Sequence, residues 1–290
     1  MRRGRVRGAV IAFTIVLVAQ AESHLSGGPQ TPGSQPADPW EVSDVAHGVV
    51  HRHLYKSQIG GDTRDLYVYT PPGYDASAVR RYPVLYLLHG FSDDASAWTE
   101  MGMANLILDN LIARGAAEPM LVVMPLGYGI PAILDSAERT PGMGAKNQER
   151  FGEMMFAEII PLVERSYRGG GDRQARAIAG LSMGGSEALA IGLNHLDVFG
   201  AVGGFSSGLR EGFDQQFPNL TSRANDTLQT LWIACGTSDR LIEVNRKFKT
   251  WLDSKQIKFT GVETEGAHTW EVWRRNLTAF VPLLFHTPHS

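Results

Sequence analysis

Cysteine is nearly missing from this sequence: there is one, Cys235, in 290 residues. No internal disulfide can form, and no cysteine cluster can hold a metal. Stability must come from a hydrophobic core, and 43% hydrophobic residues suffice for one large α/β domain or two small ones. Surplus positive charge is missing too. With 27 Lys and Arg against 30 Asp and Glu, the formal net charge is -3. That leaves no basic footprint for nucleic acid. Long apolar runs are also absent: Ala9 to Val18 is too short to span a bilayer comfortably. No internal repeat is apparent.

What is present begins with a targeting pattern. Arg2, Arg3, Arg5 and Arg7 precede the apolar run, and Ala19-Gln20-Ala21 fits a small-x-small cleavage site. Residues 1–21 are expected to be a secretory signal peptide, with an uncleaved membrane anchor as the competing reading. Residues 22–40, rich in Ser, Gly, Pro and Gln, read as a disordered linker. Residues 41–290 are then the folded domain of a secreted or periplasmic protein, with no stable membrane insertion after cleavage. Export does not demand disulfides, because a domain of roughly 245 residues buries enough core without them.

Within that domain, apolar runs alternate with segments of helical period. Val45 to Tyr55 and Thr63 to Thr70 read as early strands, the second rich in aromatic and β-branched residues. Tyr82 to Leu88 and Met120 to Met124 are near-continuous apolar runs, as expected of strands buried on both faces. Ala175 to Ala179, Phe199 to Phe205, Thr230 to Gly236 and Ile257 to Thr264 complete the set. The spacing predicts a helix over Ala95 to Ala113, capped by Gly115, and another from Phe151 to Tyr167 that Pro161 kinks or restarts. Thr269 to Leu284 reads as a terminal helix. Strands alternating with helices predict an α/β fold, a mostly parallel central sheet with helices on both faces. Sites in such sheets form at the carboxyl ends of strands.

The most informative stretch is Gly180-Leu181-Ser182-Met183-Gly184, of the form Gly-x-Ser-x-Gly, between a predicted strand and a helix-like run, Ser186 to His195. On so tight a turn the serine hydroxyl is exposed, and the glycines remove side chains that would collide with neighbours. A serine hydroxyl is a poor nucleophile until a base takes its proton and donors stabilise the oxyanion. The base is expected after the last strand. Of nine histidines, His268 alone lies downstream of Ser182 at a strand-to-helix junction. The orienting acid is expected to be Asp239, which follows the strand ending at Gly236; Asp197, Asp214, Asp226 and Asp253 are its competitors. The chain order Ser182, Asp239, His268 is that of an α/β-hydrolase. Backbone N–H groups of Met183 and Phe91 are the expected oxyanion donors. His47, His51 and His53 lack a carboxylate or cysteine partner and read as strand residues, so no metal and no cofactor is expected. Cys235 reads as a small core residue.

Four segments carry a resemblance. They are Val68-Tyr69-Thr70-Pro71-Pro72-Gly73-Tyr74, Pro83-Val84-Leu85-Tyr86-Leu87-Leu88-His89-Gly90, Ala179-Gly180-Leu181-Ser182-Met183-Gly184-Gly185 and Gly266-Ala267-His268-Thr269-Trp270. Over about residues 45–285 the chain is similar to the esterase D-like superfamily. Within it, the chain resembles the feruloyl and acetyl-xylan esterases of carbohydrate esterase family 1 and the enterochelin esterase-like hydrolases. The resemblance implies an α/β-hydrolase fold, with Ser182 as nucleophile, His268 as base and Asp239 as acid. It implies Phe91 and Met183 as oxyanion donors and Trp98 as an aromatic lining the acyl or alcohol pocket. The stretch Met124-Pro125-Leu126-Gly127-Tyr128-Gly129 and the following Ile130 to Lys146, rich in Gly and Pro, depart from many relatives and are expected to border that pocket. The implied activity is a secreted serine carboxylesterase acting through an acyl-enzyme. Its expected substrate is a small-molecule or polysaccharide-linked ester, feruloyl or acetyl first and a siderophore lactone second. Acyl transfer of the mycolyltransferase kind and a non-catalytic binding module are the rival readings.

Overall fold

In the computed structural model the described residues are 38–77, 79 and 81–285. The expected signal peptide, and the expected linker as far as residue 37, lie outside the described residues. At the end of that linker, the carbonyls of Pro39 and Glu41 accept hydrogen bonds from Asn110 Nδ2 at 2.8 and 2.9 Å, and Trp40 packs against the core.

Among the described residues, strands β1 (Val49–Lys56), β2 (Thr63–Thr70), β3 (Val84–Leu88), β4 (Leu121–Pro125), β5 (Arg176–Leu181), β6 (Ala201–Phe205), β7 (Thr230–Gly236) and β8 (Thr260–Thr264) form one sheet. Its order is β1-β2-β4-β3-β5-β6-β7-β8. β1 and β2 run antiparallel, β2 pairs antiparallel with β4, and every other pairing is parallel. The apolar runs explain this layout. β3, β4 and β6 are buried at every position, so they need cover on both faces, whereas edge strand β1 alternates between half-buried and exposed residues.

The helices are α1 (Ala97–Glu100), α2 (Ala104–Ala113), α3 (Met143–Met154), α4 (Ile160–Ser166), α5 (Ser182–Asn194), α6 (Phe213–Gln216), α7 (Ile242–Ser254) and α8 (Trp270–Phe280). They sort the core into two layers by strand alternation. Tyr86 and Leu88 of β3 meet Phe151 of α3, Leu189 of α5 and Phe248 of α7 in one layer. Leu85 and Leu87 meet Leu108 of α2 and Phe280 of α8 in the other. The chain thus has the topology of an α/β-hydrolase.

Two helices differ from the sequence expectation. The run Ala95 to Ala113 is not one helix, because it breaks between α1 and α2, where Met103 takes a left-handed φ of 51°. Gly102 sits so close to Trp98 that a Cβ there would lie 2.6 Å from the Trp98 carbonyl oxygen and ring. The apolar period continues across the break, so the pattern hides it. The second helix begins at Met143 rather than Phe151 and passes through a π-helical stretch, Met155–Ile159, before α4 restarts with Pro161 in its first turn. Pro161 has no N–H to continue the ladder, and the wider turn absorbs the loss.

Candidate active site

The site forms where β3, β5, β7 and β8 end. Strand β5 is the scaffold of the serine turn. Its last residue, Leu181, is extended, and Ser182 follows with a left-handed φ of 53°. That conformation is costly for a residue with a Cβ, and it holds the side chain out of the turn. The flanking glycines are required by contact. A Cβ on Gly180 would lie 2.4 Å from the Gly184 carbonyl oxygen, and one on Gly184 would lie 2.4 Å from that of His89.

Asp239 sits on the turn after β7. Its side chain is fully buried, and Oδ1 accepts the Leu241 N–H at 2.8 Å. Oδ2 lies 2.7 Å from His268 Nδ1, and His268 Nε2 lies 3.0 Å from Ser182 Oγ. A carboxylate only accepts, so Nδ1 carries the proton and Nε2 is left as an acceptor facing the serine hydroxyl. The loop that carries His268 is tied to the acid's turn, with Thr237 N donating to Thr264 O and Ser238 N to Gly266 O, each at 2.8 Å. Trp273 of α8 meets the His268 ring edge-on at 4.8 Å. The structure therefore brings Ser182, His268 and Asp239 into one hydrogen-bonded chain. Asp197 is exposed on the turn before β6, and Asp214 pairs with Lys255.

Ser182 opens into a cavity of about 310 Å³ that is also lined by Met183, Phe91, Arg210, Arg240 and Leu241. Met183 lies in the first turn of α5, where backbone N–H groups have no helical acceptor. Phe91 follows β3 on a loop held from below. His89 is buried, with Nδ1 2.8 Å from the Gly90 carbonyl and Nε2 accepting the Gly127 N–H at 2.9 Å. Burial pushes its imidazole down to about 4, so the ring is neutral and both nitrogens serve as straps. Tyr128 adds a bond from its hydroxyl to the Asp93 carbonyl at 2.9 Å. His89 stood out in the sequence only as part of the segment Pro83 to Gly90. Its pairing with Gly127 crosses from one strand end to another and left no local signal.

Trp98 is placed elsewhere than the sequence resemblance implies. It has 0% exposure, donates Nε1–H to the Leu88 carbonyl at 2.9 Å, and packs edge-on against Phe205 and Trp270. It presents no face to a substrate in this structure, because Leu88, Phe205 and Trp270 enclose it. The segment Ile130 to Lys146 does reach the cavity, through Ile133 and Gly144. Arg139 of that segment lies over the Phe91 ring, 5.0 Å from its centroid. Beneath the site, Glu187 of α5 is fully buried. Its Oε1 accepts from Asn147 at 3.0 Å, while Oε2 has no partner. Burial pushes its carboxyl well above the ordinary glutamate range. Cys235 is buried in β7, which raises its thiol to about 12 and leaves it inert as a nucleophile. His51 and His53 bond Thr70 Oγ1 and Tyr167 OH on the outer face of β1.

A family model described as a putative esterase matches residues 57–284. The endo-1,4-beta-xylanase/feruloyl esterase of Xylanibacter ruminicola is 31% identical over 246 residues, which is 83% of this chain and 32% of that protein. The chain thus spans about a third of that relative's length. A solved ferulic acid esterase superposes with a TM-score of 0.66 at 27% identity, covering 82% of this chain and 97% of the other. The CE1 ferulic acid esterase of Anaeromyces mucronatus superposes with a TM-score of 0.75 over 88% of this chain and 98% of the other. At 24% identity, that likeness speaks for the fold alone.

Proposed function

The chain belongs to the esterase family, serine hydrolases of ester substrates, and from that premise we propose that it is an exported carboxylesterase for feruloyl or acetyl esters of plant polysaccharide. The observation that carries the reaction is the hydrogen-bonded chain from Asp239 through His268 to Ser182. Ser182 Oγ attacks the ester carbonyl while His268 Nε2 takes its proton, and Asp239 steadies the imidazolium. The N–H groups of Phe91 and Met183 receive the oxyanion. The tetrahedral intermediate expels the alcohol, which leaves with the proton from His268. Water then enters, gives a proton to Nε2 and attacks the acyl-enzyme, and the carboxylic acid departs as Ser182 recovers its hydrogen.

The substrate half of the proposal is supported by the Xylanibacter relative and the solved ferulic acid esterase, both named for feruloyl ester cleavage. Phe91, 38% exposed at the cavity, is the aromatic surface available to a ferulate ring. The test is turnover of methyl ferulate, acetylated xylan and 4-nitrophenyl acetate by the wild type and by Ser182→Ala. The variant should lose on the order of 10⁴–10⁶ in kcat while remaining folded. Retention of more than a tenth of wild-type turnover removes Ser182 from the role. Turnover of 4-nitrophenyl acetate alone removes the polysaccharide esters.

A further inference from the structure

The charged side chains lining the serine cavity are both arginines, Arg210 and Arg240, and no aspartate or glutamate lines it. Asp93 stands beside Ser182, and Arg210 also borders a second hollow with Glu149 and Glu153. Among the described residues neither guanidinium makes an ion pair. Their acidic neighbours in sequence are engaged elsewhere: Glu211 with Lys247, Asp239 with His268, and Glu243 with Arg246. The chain as a whole is formally -3, so this pair of arginines is not a by-product of a basic protein.

Both arginines also stand on anchored backbone. The Arg210 carbonyl accepts from Gln216 Nε2 at 2.7 Å, and Gly208 N, two residues earlier, donates to the Ser182 carbonyl at 2.8 Å. Arg240 follows Asp239 directly, on the turn that the Asp239 carboxylate closes onto Leu241 N. The backbone beside each arginine is thereby tied to one member of the hydrogen-bonded chain, and each guanidinium reaches the cavity on an exposed side chain. A planar guanidinium matches a carboxylate with two parallel N–H bonds, and two of them beside a cavity favour an anion at short range.

We propose that Arg210 and Arg240 read a carboxylate carried by the ester substrate, a short span from the scissile bond. This rests on the serine esterase reading and not on its feruloyl or acetyl half: the ester turned over best carries a carboxylate besides the scissile bond. The carboxylate sits on the acyl half, as in a dicarboxylic half-ester, or on the alcohol half, as in an esterified hydroxy acid or uronate.

Two substrate pairs separate those sources. 4-Nitrophenyl hemisuccinate against 4-nitrophenyl butyrate probes the acyl half, and the feruloyl ester of glycolate against ethyl ferulate probes the alcohol half. The readout is the ratio of kcat/KM within each pair, so a general loss of activity cancels. In the wild type one pair should favour the acidic member by about tenfold or more, and the preference should shrink as salt is raised. Arg210→Gln with Arg240→Gln should bring that ratio near one, while Arg246→Gln, outside the cavity, should leave it as in the wild type. A ratio near one in both pairs for the wild type, or a preference that survives the double variant, overturns the proposal while leaving the esterase reading intact. If neither these esters nor 4-nitrophenyl acetate is turned over, the esterase reading falls. Whenever no ester of either pair is turned over, the arginines are judged by calorimetric binding of monomethyl succinate, where equal affinity with and without them overturns the proposal.

Discussion

The floor of the serine site rests on strand ends, and its rim is built from loops. On the floor, Asp239 is fully buried and His268 is 17% exposed, and their two loops are cross-bonded between β7 and β8. On the rim, Phe91, Arg139, Arg210 and Arg240 are all exposed. The contrast follows from what each part does. Proton transfer between Ser182 and His268 depends on a fixed hydrogen-bond length, which only a rigid sheet maintains. Substrate selection needs charge and shape at the mouth, and loops supply those without disturbing the core. The floor therefore speaks for the reaction class and the rim for the ester.

Breaking the floor should have the largest effect. Asp239→Asn deprives His268 of its orienting acceptor and should lower kcat by roughly 10²–10⁴. Asp197→Asn, on an exposed turn, should leave kcat within about twofold, as surface changes do. Steady-state kinetics on both variants decide it, and the reverse ranking would assign the acid to Asp197.

Trp98 sharpens the boundary between the two regions. As a fully buried indole it belongs with the core, so Trp98→Ala should cost about 3–5 kcal/mol of folding stability, read from urea unfolding. Losses in kcat/KM on methyl ferulate and on 4-nitrophenyl acetate should then be equal. A loss confined to ferulate, with stability unchanged, would return Trp98 to the pocket wall.

The smallest effect concerns two buried titratable groups below the floor, which act in opposite directions. His89, held down to about 4, stays neutral in the fold while the unfolded chain takes up a proton below about 6.5. Acidification through that window therefore destabilises the protein. Glu187, raised by burial, stays protonated in the fold after the unfolded chain has released its proton. Its stabilising contribution is complete at low pH and is lost as pH rises from the ordinary glutamate range towards the folded value. Glu187→Gln should remove that loss. Its Tm should match the wild type at pH 4 and exceed it by about 2–4 °C at pH 8. A Tm difference independent of pH would mean that Glu187 does not titrate on unfolding.

Much of the floor was legible in the sequence. Tyr82 to Leu88 and Met120 to Met124 read as buried strands because a strand covered on both faces has no polar alternation to blur it. The turn around Ser182 was legible because it needs glycines at fixed offsets from the serine, although the contact that requires Gly184 is with the distant His89 carbonyl. The rim was less so. Arg210 and Arg240 follow different strands, and no motif spans the thirty or so residues between them. The inward placement of Trp98 is set by Leu88, Phe205 and Trp270, two of them far away in sequence, and the helix break at Gly102 beside it is one that the apolar period passes over. The buried carboxyl of Glu187 sits in a helix whose other buried residues are all glycine or apolar, and no local pattern marks it as one of them.

Local pattern alone determined the strand inventory, the serine elbow and the order of Ser182, Asp239 and His268 along the chain. Each of these depends on residues within one turn or one strand, where sterics and hydrophobic period act over short separations. Tertiary structure alone decided which aromatic faces the cavity, which histidine straps the Phe91 loop, and that two arginines remain without an ion pair at the mouth. Those outcomes are set by contacts between segments far apart in sequence, and a side chain's partner across the sheet leaves no trace in the residues beside it.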